Sequence, residues 1–387
     1  LTRQIYLDNS ATTRVLPEVA ALMSNILTEK YGNPSSLHSK GLEAEKVVTH
    51  ARRSLASFLG VKEEEITFTS GGTEANNLAL KGGARRRQRR GLHLITTKVE
   101  HPSVLYACQA LEREGFAVTY LDVDSLGRVN PEMAAAAIQE DTVLVSVMHV
   151  NNEVGVIQPV AEIGRFVKQR KKEILYHVDA VQSFGKLPVR PADWGADLVS
   201  LSAHKIHGPK GTGALFCRAG VELEPLLHGG DQERGVRPGT ENTVGIAGFA
   251  EAARAAMDKR EDNIHIMAAL RERLLKGILA LIPDVTHNGP ADGAPHILSL
   301  TMAGIRGEVL VHALEEQNIY VSTGSACHSH RADPSHVLLA MGRKDKEIEA
   351  SLRFSFSPHN TAEEIDFTLE RLAEITTNLR LLNRRSK

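Results

Sequence analysis

The chain has 387 residues, 42% of them apolar and 24% charged, with a formal net charge of −1. That length is too great for one small core and points to two domains, while near-neutrality argues against a dedicated nucleic-acid binder, which is normally basic. No apolar run approaches the roughly 20 residues of a membrane span, residues 1–8 lack an export pattern, and three cysteines cannot build a disulfide framework, so a cytoplasmic setting is expected.

Taken in order, the first clear element is a helix at 42–59. Ala44, Val47, Val48, Ala51, Leu55, Phe58 and Leu59 share one face there, and Gly60 stops it. A strand at 66–69 runs into Ser70-Gly71-Gly72-Thr73-Glu74. Glycines at such a turn let the backbone approach a ligand, and the N–H groups of a following helix favour an anion, with the Thr73 hydroxyl adding a donor. The residues alone fit a phosphate cup or a plain glycine turn with a threonine cap equally well. The basic run at 85–90 reads as a solvated helix end before the next strand.

Strands at 92–96, 117–121 and 142–149 alternate with helical patterns at 103–114 and 160–171. A strand at 175–179 ends in Asp179, followed by Gln182, and a carboxylate leaving a buried strand requires a cation or several donors, or else serves as a helix cap. The strand at 198–201 leads into Ser202-Ala203-His204-Lys205, a turn in which a desolvated lysine could form a Schiff base. The last strand of this set is 214–217. His204 and His207 find no third ligand at sensible spacing, so no metal site is expected.

Alternating strands and helices imply the α/β class, a mostly parallel sheet with ligands bound beyond the carboxyl ends of its strands. From about residue 251 the pattern changes to one long polar helix reaching 282, a Gly/Pro-rich segment at 288–295, then strand, helix, strand and a closing helix. The expected division is a large domain at 14–255 and a smaller α+β domain at 256–387 that also takes in 1–13. A phosphate cup, an Asp for a pyridine nitrogen and a Lys for an imine are together the anchors that pyridoxal phosphate requires.

These stretches, with Tyr6-Leu7-Asp8-Asn9-Ser10-Ala11-Thr12-Thr13, Glu100-His101, Asn151-Asn152-Glu153-Val154-Gly155, Arg237-Pro238-Gly239-Thr240-Glu241-Asn242 and Thr323-Gly324-Ser325-Ala326-Cys327, resemble the cysteine desulfurase family over nearly the whole chain. The resemblance implies the fold-type I pyridoxal-phosphate transferase fold with a seven-stranded sheet. It further implies Lys205 as the Schiff-base lysine, Asp179 on the pyridine nitrogen, Gln182 on the ring hydroxyl and His101 over the ring. Gly72, Thr73, Ser202 and His204 become phosphate ligands, and Thr240 reaches the phosphate of the other subunit of a homodimer. Asn152 and Arg353 grip the carboxylate of L-cysteine.

Cys327 is then the nucleophile that takes the sulfur and passes it to an acceptor protein such as an iron–sulfur scaffold, or towards tRNA thiolation. It is at most a transient iron–sulfur ligand. His101, His328 and His330 are candidates to assist it. Cys-His-Ser-His at 327–330 departs from the usual small polar residues and is partly similar to selenocysteine lyases. A selenocysteine lyase and a non-catalytic cofactor-binding protein are therefore the alternatives.

Overall fold

The computed structural model describes residues 4–324 and 334–385; Cys327, His328 and His330 lie outside them. Twelve strands are named in chain order: β1 (Ile5–Tyr6), β2 (Ile66–Thr69), β3 (His93–Thr97), β4 (Ala117–Leu121), β5 (Thr142–Met148), β6 (Leu175–Asp179), β7 (Leu198–Ser202), β8 (Gly213–Cys217), β9 (Val285–His287), β10 (Ile297–Met302), β11 (Ile319–Tyr320) and β12 (Ser351–Ser355).

Seven of them form one sheet in the order β2-β8-β7-β6-β5-β3-β4. Only β8 runs against the rest, pairing antiparallel with both β2 and β7. The expected seven-stranded, mostly parallel sheet is therefore present, with strand ends displaced by at most one residue. Its strands are apolar on both faces because helices cover both sides. In β7, Val199 and Leu201 enter one core with Val145, Val178 and Phe184, whereas Leu198 enters another with Leu94, Leu175 and Leu215.

The helix foreseen from residue 42 begins earlier and spans Ser39–Leu59, closed by Gly60 in the left-handed region at φ 68°. The single long helix foreseen at 251–282 is instead two, Thr243–Asp258 and Arg260–Leu281, meeting at Lys259 with φ −122°. Polarity along the stretch hid the break, since neither glycine nor proline marks it. The basic run caps a short helix, Gly83–Arg87, and pairs outward, Arg85 with Glu114 and Arg86 with Glu222.

A second core gathers Leu298, Leu300, Leu352, Phe354, Leu274 and Ile365, around the antiparallel sheet β12-β10-β9. Ile5 and Leu7 join this core from the chain's other end. They are brought there by β1 pairing with β11 and by Asp8 bridging to Ser355. Among the described residues no helix is long and apolar enough to cross a membrane.

Candidate functional site

Five strands of the large sheet, β2, β3, β5, β6 and β7, point their carboxyl ends at one cleft of about 340 Å³. Gly72 and Thr73 follow β2, His101 follows β3, Asn152 follows β5, Asp179 ends β6 and Ser202 ends β7. Gln182, His204, Lys205 and Arg353, the last on β12, complete the lining contributed by the expected residues. Ten of the twelve expected site residues thus meet in one place. The exceptions are Cys327, outside the described residues, and Thr240, which is exposed on a loop outside the cleft.

The β2 turn needs its glycine for packing as well as for a ligand. A Cβ on Gly72 would come within 2.6 Å of the Val181 side chain, so only glycine lets the turn lie against the segment after β6. That segment carries Asp179, whose Oδ1 accepts from the Val181 N–H (2.9 Å) and whose Oδ2 accepts from Asn76 Nδ2 (2.7 Å). Burial nevertheless pushes its carboxyl up, against these hydrogen bonds and the nearby Lys205. A buried carboxylate in this state is suited to a cationic N–H.

Lys205 Nζ donates to the backbone carbonyls of Ser10 and Ala11, the latter at 2.7 Å. Burial first, and then the neighbouring lysines Lys205, Lys186 and Lys210, depress His204 to about 3, so its ring is neutral and Nδ1 lies 3.2 Å from Thr12 Oγ1. Arg353 donates through Nη1 to the Asn152 carbonyl (2.8 Å) and through Nη2 to Asp8 Oδ1 (2.8 Å).

Five buried polar atoms of cleft residues lack a hydrogen-bond partner among the described residues: Ser10 Oγ, Asn76 Oδ1, Gln182 Oε1, Ser202 Oγ and Arg353 Nε. Burying such groups unpaired costs on the order of 1–3 kcal/mol each, which makes them donors and acceptors for a ligand. Ser202 Oγ beside the glycine turn suits a phosphate, Gln182 Oε1 a ring hydroxyl, and Arg353 Nε a carboxylate. The residues present therefore fit pyridoxal phosphate and an amino acid.

Sequence reasoning missed Asn76, Ser103, Ser10 and Asp8. Asn76 Nδ2 donates to Ser103 Oγ (2.8 Å) as well as to Asp179, and Ser103 Oγ lies 2.8 Å from His101 Nδ1. A signal existed for two of them. Asn76 precedes Ala79 and Leu80 by one helical turn, and Ser103 leads the face of Ala107 and Leu111, all buried. A polar residue at the head of an apolar stripe is the mark of a buried network.

Loop 232–240 is anchored elsewhere. Glu233 and Arg234 sit in the left-handed region, at φ 46° and 57°, which non-glycine residues seldom adopt. Glu233 is buried, takes two 2.8 Å bonds from the Arg52 guanidinium and accepts from the Phe68 N–H at 3.0 Å.

The other two cysteines are unsuited to nucleophilic work. Cys108 is buried on the helix Pro102–Arg113 with its thiol pushed far up by burial, and burial pushes Cys217 on β8 up to about 12.

Comparison with known proteins agrees with this geometry. The model of the family Aminotransferase class-V matches residues 5–367. The chain is 46% identical over 378 residues to "Cysteine desulfurase IscS" of Clostridium botulinum (strain Hall), covering 97% of this chain and 95% of that protein. It is 45% identical over 379 residues to "Cysteine desulfurase IscS" of Methanosarcina thermophila, covering 98% and 93%. Among solved structures, a "NifS-like protein" superposes with a TM-score of 0.92 at 42% identity, over 97% of this chain and 100% of that one. DndA from Streptomyces lividans does so at 0.77 and 39% identity, over 90% and 98%. These likenesses favour the desulfurase reading over the lyase and the non-catalytic ones.

Proposed function

We propose, for a chain that belongs to the class-V aminotransferase family and within it to the cysteine desulfurases, that the cleft divides its labour among the residues as follows. The protein is a pyridoxal-phosphate-dependent enzyme acting on L-cysteine. Gly72, Thr73, Ser202 and His204 would hold the phosphate, Asp179 the ring nitrogen, Gln182 the ring hydroxyl and Lys205 the cofactor's aldehyde carbon. Bound there, pyridoxal phosphate supplies a carbon that links to the substrate amine and a ring that accepts electrons from the Cα–H bond.

The remaining chemistry belongs to the chain. Arg353, through Nε and its planar fork, takes the substrate carboxylate, and Asn152 assists it. This grip fixes which bond at Cα faces the base. The Lys205 amine, at the same end of the cleft, would carry the Cα proton. His101 moves a proton beside the substrate sulfur. Cys327, as thiolate, then forms an S–S bond with that sulfur while the substrate C–S bond breaks, leaving a persulfide on the enzyme and, after reprotonation, alanine. Thr240 completes the phosphate site of a partner subunit in a cytoplasmic homodimer, and the persulfide sulfur passes to an acceptor protein such as an iron–sulfur scaffold.

The observation that carries this reading is the convergence of ten expected residues on one cleft whose unpartnered atoms match the cofactor and substrate. Its test is Cys327→Ser. That variant should bind cofactor, respond spectrally to cysteine and exchange the Cα proton, yet form no persulfide and almost no alanine. Cys108→Ser and Cys217→Ser should keep alanine production. Wild-type alanine formation by Cys327→Ser would overturn the assignment.

A further inference from the structure

From the unbroken chain Asp179–Asn76–Ser103–His101, we infer that Asn76 and Ser103 are positioning residues that fix the proton of His101 on Nε2, Ser103 directly and Asn76 by orienting the Ser103 hydroxyl. The inference rests on His101 acting at the reacting atoms, as proposed above.

The direction of each hydrogen bond follows from chemistry. An ionised Asp179 is acceptor-only, so the Asn76 amide must turn Nδ2 towards it, at 2.7 Å. The second hydrogen of the same Nδ2 points at Ser103 Oγ, 2.8 Å away. Ser103 Oγ thereby becomes an acceptor from Asn76, and its own hydrogen is left for His101 Nδ1 at 2.8 Å. The Ser103 backbone N–H also donates to Nδ1, at 3.1 Å, as the N-cap contact of the helix Pro102–Arg113. Two donors on Nδ1 leave the ring proton on Nε2.

A proton on Nδ1 would meet the Ser103 backbone N–H donor against donor, and this contact at the helix start excludes it. Flipping Asn76 would set its Oδ1 against the Asp179 carboxylate, acceptor against acceptor, so Asn76 keeps Nδ2 on both partners while Asp179 is ionised. Asn76 and Ser103 are 1% and 8% exposed, and water does not readily scramble the order. The network therefore joins the proposed ring-nitrogen group to the proposed proton-moving group by ordered hydrogen bonds and holds the His101 ring in one orientation.

Neutron diffraction from crystals of the deuterated holoenzyme reads this directly. The expected map has deuterium on His101 Nε2 and none on Nδ1, the Ser103 hydroxyl aimed at Nδ1, and both Asn76 amide deuterons engaged. Deuterium on Nδ1 overturns the inference, whatever His101 does in catalysis. In solution, Ser103→Ala should lower kcat roughly five- to tenfold, the worth of one hydrogen bond, with KM for cysteine little changed and a displaced kcat–pH profile. Ser103→Thr should restore both. An unmoved pH profile in Ser103→Ala overturns the positioning role of Ser103. Full activity in His101→Ala would instead remove the proposed role of His101 itself, and is distinguishable because the neutron map stands apart from it.

Discussion

Arg353 lies 2.8 Å from Asp8, a residue 345 positions away in the chain, and the two form an ion pair at the mouth of the cleft. The arginine is 3% exposed and keeps its Nε unpartnered. Asp8 thus takes Nη2, the Asn152 and Gly324 carbonyls take Nη1, and Nε is left for a ligand. A lysine here would keep the charge and lose the fork. Arg353→Lys should raise KM for cysteine roughly ten- to hundredfold, the loss of a charge-assisted hydrogen bond, and leave the cofactor spectrum unchanged. Steady-state kinetics with a parallel absorbance titration checks it; an unaltered KM would move the carboxylate grip elsewhere.

Asp179→Asn should retain cofactor, because the phosphate and lysine contacts remain, but slow Cα-proton exchange on the order of a hundredfold or more. An amide cannot hold a ring nitrogen protonated, and it would also meet the Asn76 and Val181 donors with one of its own. Loss of deuterium from Cα-labelled cysteine measures this step; near-normal exchange would reduce Asp179 to a structural cap.

Assembly is testable by mixing chains. If Thr240 serves the neighbour's phosphate, a Thr240→Ala chain paired with a Lys205→Ala chain restores one complete site per hybrid. Random one-to-one mixing of the two inactive variants should then recover about a quarter of wild-type activity. Confirmed hybrids without activity would show that each subunit builds its site alone.

Glu100 gives a pH-dependent prediction. It is wholly buried, accepts from Thr97 Oγ1 (2.8 Å) and the Met148 N–H (2.9 Å) through Oε1 alone, and leaves Oε2 unpartnered. Burial pushes it up to about 8 from 4.5. A carboxyl raised on folding stabilises the fold relative to an ionised one, fully below the unfolded value, and that contribution is lost as pH rises through the folded value. Glu100→Gln mimics the protonated form. Its stability relative to wild type should rise between about pH 4.5 and 8 and then level off. Thermal melts across that window decide it, and a pH-independent difference would mean that Glu100 is ionised in the fold.

The strand ends were legible because chemistry and periodicity coincide there. The apolar runs lead into Asp179, Lys205 and Gly72, each with a plain structural use by itself, and it is their occurrence together after successive strands that points to one cofactor. Asn76 and Ser103 were less legible, since their partners lie up to 103 residues away and a lone buried amide or hydroxyl on a helix has many structural uses. Asp8 was read as part of a motif without its partner, because only the pairing of β1 with β11 brings that end of the chain to β12. The break at Lys259 left no trace, for the residues around it are all acceptable in a helix.

Glu233 holds its strained loop through contacts made within one chain, to Arg52 and the Phe68 N–H, yet the loop leads to Thr240, whose proposed use is in another. A lesion in that clamp would therefore be felt by the wrong polypeptide. Co-expressed with an intact copy, a Glu233→Ala chain would keep its own catalytic groups and spoil those of its neighbour. In a mixed population each hybrid dimer would keep one working site in either case, but with Glu233→Ala that site sits in the altered chain and with Lys205→Ala in the intact one.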